Sequence, residues 1–405
     1  MTRTRTALLC AAALIAATLQ ITPAATAAGP PPKGHGADCV ASPEPGRGAA
    51  RDVLAVARRA QAELGLKSVL LRVERGGHEV VTGALGESMT GVPATADMHF
   101  RSGSVGIVYM ATTLLQLVDE GKVDLDDPIA RWLPEVPHAD EITLRMLGSS
   151  TSGFHDYVTD PAFLAALPKD PFKHWTPAEL AAYPYSHPLW YEPGTNWSYS
   201  HLNFLLLGQA LEKITGTRLD RLLQRRVMGP LELRDTRNSF TPEIQQPVLH
   251  AFSSDRGFYE ETTFWNPSWT TAPGAVLTSH ICDLARSARA IGTGELLSER
   301  AFREQLDPGT VGLGHPTAVC PETVCLPQTE AKHFGFGVIV VNGWIFSNPS
   351  FSGYAAIQAY LPEKGLSIAV STTKDPDAAD GNTAQEIARR IAARLAPGQP
   401  LDDLA

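Results

Sequence analysis

Two groups of strand-like runs stand near opposite ends of this 405-residue chain, and a long stretch without strand pattern separates them. "SVLLRVE" and "HEVVTGALG" flank Arg75-Gly76-Gly77. Toward the other end, "FGFGVIVV", "WIFSN", "YAAIQAYLP" and "LSIAVST" follow one another across turns at Asn342-Gly343 and Glu363-Lys364-Gly365. Short β-branched and apolar runs bounded by such turns predict antiparallel hairpins. Outside them lie two patterns with apolar residues spaced for one helix face, "RGAARDVLAVARRAQAELG" and "GNTAQEIARRIAARLA". A sheet's apolar face must be covered, and these helices are placed to cover it. The expected fold is α/β (α+β): an antiparallel sheet flanked by N- and C-terminal helices, with an inserted all-helical domain. The boundaries predicted are 29–100 with 270–405 for the sheet domain and 101–269 for the helical one.

With 43% hydrophobic and 19% charged residues, the chain can bury a large core. Its first 28 residues read as an export signal: Arg3 and Arg5, an apolar run from Ala7 to Ile21, then small residues to Ala28. That run is too short to span a bilayer. Cleavage is expected near Ala27, giving a secreted or extracytoplasmic protein with no membrane span. Loss of the two arginines takes the net charge from −9 to −11, which argues against nucleic acid as a partner. Cys10 leaves with the signal, and four cysteines remain. In an exported chain they favour disulfides. "CPETVC" can close as Cys320–Cys325, leaving Cys39 to pair with Cys282; buried free thiols are the alternative. No metal and no cofactor are expected. HExxH, GxxxxGK[ST] and GxGxxG are absent, and no His or Cys cluster has ligand spacing.

Four stretches carry a resemblance. They are "FRSGSVGIVYMATTLLQLVDEGKVDLDDPIARWLP", "ITLRMLGSSTSGFHDY", "PGTNWSYSHLNFLLLGQALEKITG" and "GPLELRDT". In this order and spacing the chain resembles the serine β-lactamase and penicillin-binding-protein family, in its class C β-lactamase and D-alanyl-D-alanine carboxypeptidase branch. The resemblance implies an acyl-transfer site with Ser104 at the head of a helix. In the family a lysine three residues after the serine takes its proton. Here the tetrad is Ser104-Val105-Gly106-Ile107, which puts an isoleucine there. The family's Tyr-x-Asn reads Tyr199-Ser200-His201, and its His/Lys-Thr-Gly falls at Ser347-Asn348-Pro349. The histidine of its "HTSG" is replaced by Ser150.

Candidate catalytic residues are therefore Ser104, Tyr199 and His201, with Ser347, Asn348 and Ser350 on the substrate-binding side. Each has an ordinary explanation too. Ser104 suits a helix N-cap, Tyr199 a packed ring, and His201 a polar substitution. Imidazole is nevertheless a better base near neutral pH than the asparagine amide it replaces. Two expectations follow: a noncatalytic or regulatory relative holding a small-molecule, acyl or peptide ligand, or a divergent serine acyl hydrolase with His201 as base. Two literal motif matches carry little weight. Ser371-Thr372-Thr373-Lys374 matches SxxK but falls in a β pattern, and the sequon at Asn196 lies inside a stretch expected to line the cleft.

Overall fold

The computed structural model describes residues 39–45 and 47–404. The export signal, its cleavage point and Cys10 lie outside them.

The strands from the two ends of the chain join in one nine-stranded sheet, antiparallel throughout. Leu66–Arg75 pairs on one side with His78–Met89 and on the other with Leu366–Lys374, where Leu71 faces Val370. Leu366–Lys374 continues to Tyr354–Leu361, then Trp344–Ser347, Ile339–Val341 and Lys332–Phe334. Side chains alternate between two cores. Val69, Leu71, Ile368 and Val370 meet the N-terminal helix Ala49–Glu63 and the C-terminal helix Thr383–Leu395 through Val53, Leu54, Ile387 and Ile391. Leu70, Ala356 and Ala369 point the other way, into the core shared with helix Ile281–Gly292 and the helical layer beyond. Each fully buried Val, Leu or Ile contributes roughly 1.5–3 kcal/mol. The covered faces are therefore what holds the terminal helices to the sheet.

The stretch between is chiefly helical, with five strands too brief to show as alternation: Phe100–Arg101, Arg237–Ser239, Phe252–Ser253, Glu260–Glu261 and Val276–Ser279. Arg237–Ser239 and Phe100–Arg101 flank Val276–Ser279 in a small three-stranded sheet. Helix Val105–Asp119 is buried on nearly all sides, as expected of a helix apolar all round. "FGFGVIVV" is not one strand. Gly337, at φ 70°, turns the chain against that helix, where a Cβ would lie 2.5 Å from Ala111.

Both expected disulfides are formed, Cys39–Cys282 and Cys320–Cys325. Ser371–Lys374 lies in a strand, so its SxxK match has no helix to align it. Among the described residues, no helix is long and apolar enough to cross a membrane.

Candidate functional site

All six candidate residues line one cavity of about 340 Å³. A larger surface hollow of about 570 Å³, beside Lys122 and Arg226, contains none of them. Strand Phe100–Arg101 delivers Ser104 to the head of its helix, half-buried and with its side chain at the cavity wall. Its hydroxyl makes no N-cap bond, so capping does not account for this serine. Among the described residues Ser104 Oγ has no hydrogen-bond partner, His201 included. One turn along, Ile107 lines the same cavity and is 4% exposed. A methyl-bearing chain there accepts no proton.

Tyr199 and His201 enter from the helical layer. Ser200 caps helix His201–Thr215, accepting from the Leu202 amide and donating to the His155 carbonyl. Tyr199 packs edge-on against the His201 ring at 5.0 Å and against Phe334 at 5.8 Å. Burial first, then the nearby Asp156 charge, raises the Tyr199 phenol far above its ordinary pKa and keeps it protonated.

Asp156 did not emerge from the sequence. Its carboxylate stands 2.9 Å and 3.1 Å from His201 Nδ1 and also accepts the His201 amide at 3.2 Å. A carboxylate accepts, so in the neutral ring the proton sits on Nδ1 and Nε2 carries the lone pair. The two residues are 45 apart in sequence, and no local pattern announces the pair. Beside them the His155 ring stacks between Trp190 at 3.6 Å and His187 at 4.6 Å. Burial, with His187 adding to it, lowers its pKa to about 4.

The opposite wall is a broken sheet edge. Strand Trp344–Ser347 ends before Asn348-Pro349, and pairing resumes at Ser350–Phe351. Pro349 has no N–H to give a ladder. Its carbonyl accepts the Ala356 amide at 2.8 Å. Asn382, the cap of the C-terminal helix, clamps the break by donating to the Asn348, Pro349 and Ala356 carbonyls. The Asn348 amide donates to Gln385. Trp197, Phe334 and Phe346 join Tyr199 in the aromatic part of the lining. Ser150, in the left-handed region at φ 61°, donates to the Ser198 carbonyl and accepts from the Ser200 and Asn203 nitrogens. It is a fixed strut of the loop. Asn196 is likewise consumed internally, bonded to residues 314 and 315.

A serine heading a buried helix, set between an antiparallel sheet edge and a helical layer, is the frame of the serine β-lactamase and transpeptidase fold. The chain belongs to the β-lactamase family, whose model matches residues 53–393. It is 34% identical over 224 residues to penicillin-binding protein 4 of Amycolatopsis lactamdurans, covering 52% of this chain and 55% of that protein. It is 29% identical over 174 residues to a putative D-alanyl-D-alanine carboxypeptidase of Escherichia coli, covering 40% and 37%. The chain thus spans about half the length, or less, of these two curated relatives. Among solved structures, a D-stereospecific amidohydrolase from Streptomyces sp. superposes with a TM-score of 0.70 at 27% identity, covering 85% of this chain and 98% of that one.

Proposed function

We propose that this protein is an exported member of the β-lactamase family that holds a small acyl or peptidic ligand in the Ser104 cleft and turns it over slowly or not at all. The observation that carries this reading is Ile107. It stands one turn from Ser104, in the cavity wall where the family's lysine is expected, and Ser104 Oγ has no basic partner among the described residues. The interrupted edge at Asn348-Pro349 supports the same conclusion, because a regular strand there is what would shape an oxyanion site. Two disulfides support passage through an oxidising compartment. The relatives' names, a D-stereospecific amidohydrolase and a putative D-alanyl-D-alanine carboxypeptidase, make D-configured amides and D-alanyl-D-alanine peptides the ligands to try first. The test is to incubate the protein with a fluorescent penicillin and with a fluorophosphonate. Reversible binding without covalent label on Ser104 is expected. Rapid labelling lost in Ser104→Ala would refute the noncatalytic reading.

One observation favours a second reading. Asp156 holds His201 in the tautomer whose Nε2 can accept a proton, and His201 shares the cavity with Ser104. On this reading the protein is a serine acyl hydrolase with His201 as base, and the Ser104–His201 contact tightens only when substrate is bound. Hydrolysis of a small activated ester would then disappear in Ser104→Ala and His201→Ala. Activity unaffected by either change would eliminate this mechanism.

A further inference from the structure

A second cluster of ionisable side chains lies away from the cavity, where three strands of the small sheet begin or end. His99 precedes Phe100–Arg101, Asp235 precedes Arg237–Ser239, and His280 follows Val276–Ser279 and caps helix Ile281–Gly292. Asp283, in the first turn of that helix, completes it. The ligand-bearing atoms of Asp235, His280 and Asp283 lie within 4.8 Å of one another.

The hydrogen bonds fix the state of each ring. His99 Nδ1 lies 3.2 Å from the Pro247 carbonyl, which only accepts, so the proton of a neutral ring sits on Nδ1 and Nε2 carries the lone pair. His99 is 5% exposed, and its Nε2 has no hydrogen-bond partner among the described residues. It points at Asp235 Oδ1, 3.6 Å away, which is too long for a hydrogen bond. His280 has the opposite tautomer: its Nδ1 accepts the Asp283 amide at 3.1 Å, so its proton is on Nε2, 3.3 Å from Asp235 Oδ2. His280 thus steadies one oxygen of Asp235 while the other oxygen faces a bare nitrogen. The Asp283 carboxylate accepts from the Asp235 amide and from Thr236 Oγ1 and adds negative charge beside them.

A buried lone pair facing a carboxylate oxygen requires a positive group between them. We propose that this is a divalent cation of the zinc class, held by His99 Nε2 and Asp235 Oδ1. Donors 3.6 Å apart subtend roughly 120° at an ion with bonds of about 2.1 Å. The Nδ1–H to a backbone carbonyl is the outer-shell bond that orients a ligating imidazole. One imidazole nitrogen with one carboxylate oxygen favours zinc and its first-row neighbours over magnesium or calcium. Asp235, whose side chain is 47% exposed, leaves a side open for entry and for water ligands. The ion would tie together the two outer strands of the small sheet, one of which, Phe100–Arg101, leads into Ser104. His99 and Asp235 are 136 positions apart, which is why no ligand spacing appears along the chain.

The test uses the full oxidised protein after treatment with EDTA. Zinc chloride at about 0.1 mM is expected to raise the melting temperature by about 2 °C or more, with one zinc per chain by calorimetry. Asp235→Asn and His99→Phe are expected to abolish both effects. If His99→Phe fails to fold, Asp235→Asn decides, because that side chain is half in solvent. No zinc response in the wild type, or an unchanged response in Asp235→Asn, overturns the site. So does a melting temperature that follows pH through the histidine range but ignores zinc, since that places a proton between the two residues.

Discussion

Ile107 offers the most direct test at the level of single residues. A general base contributes about 10²–10⁴ in rate, so Ile107→Lys would recover that factor if it were all that Ser104 needed. The expected recovery of penicillin acylation is less than about tenfold, measured as the rate of covalent labelling. The edge at Pro349 stays interrupted, and an ammonium in that apolar wall loses stability to desolvation. Full recovery would show that the sheet edge is already competent. His155 gives a pH prediction. Its folded pKa of about 4 lies below the ordinary imidazole value, so the unfolded chain binds the proton more readily. Stability is therefore complete above pH ~6.5 and falls as the pH drops toward ~4. The loss is on the order of 1 kcal/mol once solvent screening is allowed for. Urea midpoints at the two pH values should diverge more in the wild type than in His155→Phe, which keeps a ring on Trp190 but cannot titrate. At this scale the site is unevenly legible in the sequence. Ser104, Tyr199, His201, Ser347, Asn348 and Ser350 could be placed by their motifs, and they share one cavity. Asp156 could not, because its partnership with His201 is made by the fold and not by spacing.

Among the elements, the Ser104 helix is held by a close approach at Gly106, where a Cβ would fall 2.1 Å from the Ala275 carbonyl oxygen. Gly106→Ala is expected to push the helix off the small sheet and cost about 1–3 kcal/mol, the range for overpacking, despite alanine's better helix propensity. A denaturant midpoint unchanged or raised would mean that the backbone yields freely there. The two cystines make a second element-level prediction. The oxidised protein should show no titratable thiol among Cys39, Cys282, Cys320 and Cys325 until it is reduced. Cys39→Ser with Cys282→Ser should cost about 2–4 kcal/mol. Hairpins and terminal helices were readable in the sequence because each has its own period and its own turn residues. The broken strand after Phe334 was not, because Gly337 answers to a helix more than two hundred residues earlier.

For the whole molecule, the sheet could be anticipated but its joining pair could not. Period-2 runs at both ends implied two hairpins, yet only the pairing of Leu66–Arg75 with Leu366–Lys374 makes them one sheet, and nothing in either run names the other. The acidic net charge could be read directly, and it predicts weak, salt-insensitive retention on a polyanion column. The Cys39–Cys282 bond, which fastens the segment before the first helix to helix Ile281–Gly292, has a mechanical consequence at this scale. It joins residues 243 apart, so the Ser104 helix, Asp156, Tyr199 and His201 all lie inside a closed covalent ring. A chain pulled from its two ends transmits the force across the cystine and around this ring. Oxidised molecules should lengthen only by what lies outside it. Adding a reductant should release about 800–870 Å of further extension, the span of the enclosed residues at full stretch.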